Sequence, residues 1–191
     1  MKITMTKALS LTAVLLILAV AILDSTALAG ELAGAKLPDT LKAGDKTLRL
    51  NGLGLRKKAI IKVYVGGLYL ESPSKDAVAI LASDQSKAIT LFFLRDLTKA
   101  QLAEAFQESF EENAADKAGQ KAAFDKMLTL LPDVKEGQTL TFTYLPEKGT
   151  MLQAGNKEFG AFEGKGFADA VFSIWLGPKP PSENLKQGLL G

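Results

Sequence analysis

The segment Thr139–Phe162 constrains the fold more than any other part of the chain. Thr139–Leu145 alternates strictly, with Leu140, Phe142 and Tyr144 on one parity and Thr139, Thr141 and Thr143 on the other. That is the period of a strand with one face buried. A turn at Glu147-Lys148-Gly149 leads to a second strand-like run, Thr150–Ala154, and Gly155-Asn156 is a hairpin signal before a third, Glu158–Phe162. Strands joined by turns this short pair antiparallel, because a parallel return needs a crossover of about a dozen residues or more.

The upstream half supplies more strands. Ala33–Lys46 reads as an extended lead-in with a turn at Ala43-Gly44-Asp45, and Thr47–Leu53 alternates loosely as a strand. Ala59–Leu70 is rich in β-branched and aromatic residues, so it reads as one long strand, with Gly66-Gly67 marking a bulge or a close backbone approach. Ala88–Leu94 is apolar on both parities, as suits a central strand covered on both faces.

Helical signals come in separate blocks. Asp76–Ala82 reads as a short helix. Thr98-Lys99-Ala100-Gln101 has the form of a capping box and opens a helix that buries Leu102, Ala105, Phe106 and Phe110. Gly119 breaks that run. A further helix carries Ala123, Phe124, Met127, Leu128 and Leu131 and ends at Pro132. Phe167, Ala170, Val171, Ile174 and Trp175 form the stripe of another, stopped by Gly177-Pro178, and one helical turn is expected around Leu185. Blocks of strands and blocks of helices predict an α+β fold, a largely antiparallel sheet with a helical layer on one face.

The first 29 residues are expected to be a cleavable signal peptide. Lys2 and Lys7 give a basic start, Ala8–Leu23 is uncharged and apolar, and Ala27-Leu28-Ala29 fits a small-x-small cleavage site. The folding unit is then a single domain over residues 30–191, and the expected location is periplasmic or secreted. No cysteine follows the cleavage site, so no lipoprotein anchor and no stable membrane anchor is expected after cleavage.

Composition narrows the chemistry. The chain has no histidine and no cysteine, which excludes His- or Cys-based triads, thiolate metal sites and a disulfide framework. No metal-ligand spacing or phosphate loop is present, and no metal or cofactor is expected. Removing Lys2, Lys7 and Asp24 takes the formal net charge from +2 to about +1. A surface so balanced has no electrostatic footprint for nucleic acid.

One segment carries a resemblance. Gly52-Leu53-Gly54-Leu55-Arg56, followed by a hydrophobic strand bearing Lys62, Tyr64, Gly67 and Tyr69, resembles the motif of the chalcone isomerase-like family; Gly164–Gly177 resembles that family's C-terminal helix. The family includes plant isomerases, plastid fatty-acid-binding proteins and secreted bacterial members. The resemblance implies an open-faced β-sandwich with a ligand cleft between sheet and helices. It also implies that Arg56 falls on the isomerases' catalytic arginine. The isomerases' threonine is replaced here by Tyr64. Gln101 and Glu108 lie near the enzymes' cleft Tyr and Asn, and Ile174 near a second Thr. The fatty-acid-binding members pair the motif arginine with a tyrosine, which Arg56 and Tyr64 match.

The chemistry of that pair is sound on its own terms. A guanidinium offers two parallel donors to a carboxylate, and a phenol adds a third. Eight residues of straight strand would span about 26 Å, so the chain must turn between Arg56 and Tyr64 if they are to share an anion; Lys57-Lys58 is the polar break suited to that turn. Three readings follow. The first is a non-catalytic secreted binding protein for a small amphipathic carboxylate, most readily a fatty acid, held by Arg56 and Tyr64, with no catalytic residue. The second is an isomerase or intramolecular lyase in which Arg56 stabilises an oxyanion. The third is an interaction module with a vestigial cleft.

Overall fold

A computed structural model of the protein describes residues 30–191. The leader assigned to residues 1–29 lies outside the described residues.

The chain opens with a small hairpin, β1 (Gly30–Leu32) and β2 (Ala35–Leu37), and then builds a seven-stranded sheet. Its strands are β3 (Thr40–Ala43), β4 (Lys46–Lys58), β5 (Ile61–Leu70), β6 (Lys87–Phe93), β7 (Thr139–Leu145), β8 (Gly149–Ala154) and β9 (Lys157–Phe162). They lie side by side in chain order, every pair antiparallel. Helix α1 (Ala77–Ala82) is inserted between β5 and β6, and α2 (Lys99–Asn113) and α3 (Lys117–Leu130) between β6 and β7; α4 (Lys165–Leu176) and α5 (Glu183–Leu190) follow the sheet.

The alternation within each strand decides the layering. Tyr64, Leu68 and Leu70 of β5, Ile89, Leu91 and Phe93 of β6, and Leu140, Phe142 and Tyr144 of β7 share one face and form a single core with residues of all five helices. The opposite face has only a small second core, around Leu48, Tyr69, Ala88 and Leu145. There Tyr69 donates to the Pro38 carbonyl at 2.9 Å, and the β1–β2 hairpin lies near by, with Leu37 against Gly67. Farther along that face the threonines expected from the alternation stand in a row, Thr90 and Thr141 sharing a 3.0 Å hydrogen bond. The fold is the expected α+β, open-faced sandwich.

The extended lead-in Ala33–Lys46 holds two short strands, β2 and β3, and its turn falls at Gly44-Asp45 within the expected stretch, while β1 precedes it. Several other local expectations need correction. The strand from Lys46 does not stop at Leu53 but runs through the glycines to Lys58. The turn after it falls at Ala59-Ile60, one step beyond the Lys57-Lys58 break, and Ala59 adopts a left-handed φ of 53°. Gly66-Gly67 is neither a bulge nor a close backbone approach: the side chains of Leu37, Leu50 and Leu53 pack over Gly67, and the register shifts lie at Leu50/Gly52 and Arg56/Lys57. Gly119 does not break a helix. It sits in the first turn of α3 and donates its N–H to Asp116, the helix cap that separates α3 from α2. The tail forms two turns of helix rather than one.

The motif glycines explain where α5 goes. The shift at Leu50/Gly52 frees Asn51, whose side-chain amide donates to the Leu189 carbonyl at 2.9 Å near the end of α5. A Cβ on Gly52 would collide with the Gly188 carbonyl oxygen, and one on Gly54 with the Leu185 carbonyl oxygen. Helix backbone therefore rests directly on strand backbone, which only residues without a side chain allow. Leu185 and Leu189 then enter the main core.

Candidate functional site

Arg56 and Tyr64 face each other across the β4–β5 ladder as direct register partners. The two-residue turn between the strands removes the distance that a straight strand would impose. Both side chains line a cavity of about 680 Å³, inside the range common for small-molecule pockets. Its apolar wall includes Leu102 and Phe106 of α2 and Ile174 of α4; its rim carries Arg95, Glu104, Glu108 and Lys179.

Tyr64 is held from below. It is 7% exposed, packs edge-on against Phe93 at 6.0 Å, and accepts a 3.1 Å hydrogen bond from the Trp175 indole N–H. Trp175 is itself wedged between Phe106 and Phe142, at 5.7 and 5.6 Å. Burial pushes the Tyr64 hydroxyl up to about 12, against the opposing pull of the Trp175 hydrogen bond and the Arg56 charge. The hydroxyl therefore stays protonated at neutral pH. A phenol carries one donor and acceptor lone pairs. Trp175 takes an acceptor position, and among the described residues nothing accepts the proton.

Arg56 is half-buried. Its Nη1 donates to the Lys57 carbonyl, and among the described residues no carboxylate pairs with it. Arg56 and Tyr64 do not bond to each other. They present a cation and a neutral O–H donor to the same space, an arrangement suited to an anion or a carbonyl oxygen.

Gln101, Glu108 and Ile174 also line the cavity. Gln101 is committed to the expected capping box, its Oε1 accepting from the Thr98 N–H at 3.0 Å. The far wall is the α4–α5 connection, Lys179-Pro180-Pro181. Asn113, at the end of α2, clamps that connection: its amide donates to the Lys179 carbonyl and accepts from the Lys179 N–H, both at 2.8 Å.

Sequence reasoning missed Asn113, Arg95, Lys179 and the polar role of Trp175. Trp175 carried a signal only as a member of a buried stripe. Its partner is 111 residues away, and no local spacing announces such a bond. Among the described residues no group of acidic side chains could hold a metal ion.

A second polar cluster lies at the other end of the same face. Lys87 is fully buried and its Nζ donates to the carbonyls of Ile80 and Ser83, both at 3.0 Å. It stands over the ring of Tyr144, 5.5 Å from the centroid, and Tyr144 donates to Asp84 at 2.5 Å. Desolvation lowers the Lys87 ammonium from the usual 10.5 to about 8.

Comparison with known proteins agrees with this architecture. A family model described as chalcone isomerase-like matches residues 29–191. Among solved structures, a fatty-acid binding protein of Arabidopsis thaliana superposes with a TM-score of 0.70 at 18% identity, over 85% of this chain and 95% of the plant chain. No curated protein matches by sequence.

Proposed function

The chain belongs to the chalcone isomerase-like family, and from that premise we propose that it is a non-catalytic binding protein for a small amphipathic carboxylate, most readily a fatty acid. The carrying observation is the unclaimed O–H of buried Tyr64, placed opposite Arg56 in a cavity with an apolar wall. The carboxylate would take the guanidinium and the phenol proton, and the acyl chain would lie against Leu102, Phe106 and Ile174. The structural similarity to a fatty-acid binding protein of Arabidopsis thaliana supports the same class of ligand. The basic, apolar and small-x-small order of residues 1–29 supports export and cleavage before Gly30.

Mass spectrometry of ligands that co-purify with the protein tests the reading, together with calorimetry. Arg56→Ala should weaken fatty-acid binding about tenfold or more, since a charge-assisted hydrogen bond contributes on the order of 1.5–3 kcal/mol. Equal affinity in wild type and variant would overturn the assignment.

The second reading, an isomerase or lyase with Arg56 as oxyanion stabiliser, draws on Glu108, a carboxylate on the same cavity that could move a proton. Turnover of a chalcone well above the spontaneous rate, lost in both Arg56→Ala and Glu108→Gln, would favour it.

A further inference from the structure

The tip of the β4–β5 hairpin is unlike the rest of the surface. Every residue from Lys57 to Lys62 is exposed, and Ile60 and Ile61 are exposed by 93% and 48%. An isoleucine that projects almost wholly into water gains nothing from the fold that carries it. Three lysines, Lys57, Lys58 and Lys62, flank the two isoleucines. Lys57 and Lys62 are direct cross-strand partners, a like-charge pairing that works against the hairpin. Among the described residues none of the three has an acidic partner within ion-pair distance. Apolar side chains at the apex and cations just behind them match the two layers of an anionic lipid surface, acyl chains below and headgroups above. Lys58 and Ile61 also line the cavity, so the tip and the mouth of the site are continuous.

We propose that this hairpin tip is a docking element for an anionic lipid bilayer: Ile60 enters the acyl boundary, Lys57, Lys58 and Lys62 engage headgroup charges, and the cavity mouth is held against the membrane. This goes beyond the binding reading, and the contact stands whether or not the cavity takes a fatty acid. Glu104 and Glu108 of α2 also line the cavity, so the cationic contact is confined to the hairpin and does not extend around the whole rim.

The test places a tryptophan at the apex. In vesicles of phosphatidylcholine with phosphatidylglycerol, Ile60→Trp should shift its emission to the blue and be quenched by brominated acyl chains. Val78→Trp, at another strongly exposed apolar position (75%) on α1, should do neither. The buried Trp175 is a constant background in both. Adding Lys57→Ala to Ile60→Trp should weaken the vesicle interaction about fivefold, and salt should weaken it further. Ile60→Asp should leave solution affinity for a fatty acid unchanged, so loss of the membrane contact and loss of the cavity's function are read separately. Unshifted Ile60→Trp emission with anionic vesicles would overturn the proposal. So would an equal response to purely zwitterionic vesicles, or an equal response at position 78.

Discussion

Tyr64 and Tyr144 stand on the same face of the sheet, both buried, and differ in what their hydroxyls do. Tyr144 donates to Asp84, and Lys87 above its ring spends two of its three Nζ protons on backbone carbonyls. Tyr64 only accepts, from Trp175, and beside it Arg56 has no carboxylate. In the Tyr144 cluster the hydroxyl proton has its acceptor within the protein, and so do two of the three Lys87 protons. The Tyr64 cluster is half satisfied and faces a cavity. Buried polar groups nearly always find partners, so an open donor beside an unpaired cation marks where a partner from outside is expected.

The contrast can be broken by four variants, each read by urea unfolding and two of them also by fatty-acid affinity. The largest effect should come from Trp175→Ala, because the indole sits between Phe106 and Phe142 and supports Tyr64. A cost of about 3–5 kcal/mol is expected from the cavity left behind. A cost under about 1 kcal/mol would mean that Tyr64 is not held as described.

The second concerns pH. Lys87 has a folded value of about 8 against 10.5 for a free lysine. Between those values the unfolded chain binds more protons than the folded one, so stability contributed by this site rises with pH across that window. Relative to Lys87→Met, wild type should gain on the order of 2 kcal/mol from pH 8 to 10. Tyr64 does not titrate there, being pushed to about 12. A flat difference would show that Lys87 is better solvated than its burial indicates.

The third effect is smaller. Tyr64→Phe strands the buried indole N–H of Trp175 and should cost about 1–2 kcal/mol. It should weaken fatty-acid binding less than Arg56→Ala, since it removes one neutral donor. The smallest effect separates function from structure. Arg56→Ala should change stability by no more than about 0.5 kcal/mol, while binding falls about tenfold. A large loss of stability would make Arg56 structural, like Lys87.

What could be read from sequence follows the range of the interactions. The strict alternation of Thr139–Leu145 and the capping box at Thr98 are local patterns, and both fold as read. The Arg56–Tyr64 pairing was legible as a condition on the chain, that it turn between them; the turn residues were not, because Ala59 at positive φ gives no glycine or asparagine signal. The polar roles of Trp175 and Asn113 depend on partners brought near only by the finished fold. So does the burial of Lys87, which stands at the start of a strand read as beginning at Ala88. The Gly52-x-Gly54 pair was visible, but its purpose was not. Glycine in a strand announces that something comes close, not what it is.

That close approach also bears on what a nascent chain can complete before its last residues emerge. Helix α5 rests on β4 more than 120 positions earlier in the chain, so it closes one of the longest loops in the protein, and such contacts carry the greatest entropy of closure. The connection that walls the cavity is strung between α4 and this last helix. During synthesis the sheet and helices α1 to α4 are therefore available before the pocket is. The cavity gains that wall only when the C-terminal residues meet the glycines, and a chain ending at Gly177 would have the sheet without it.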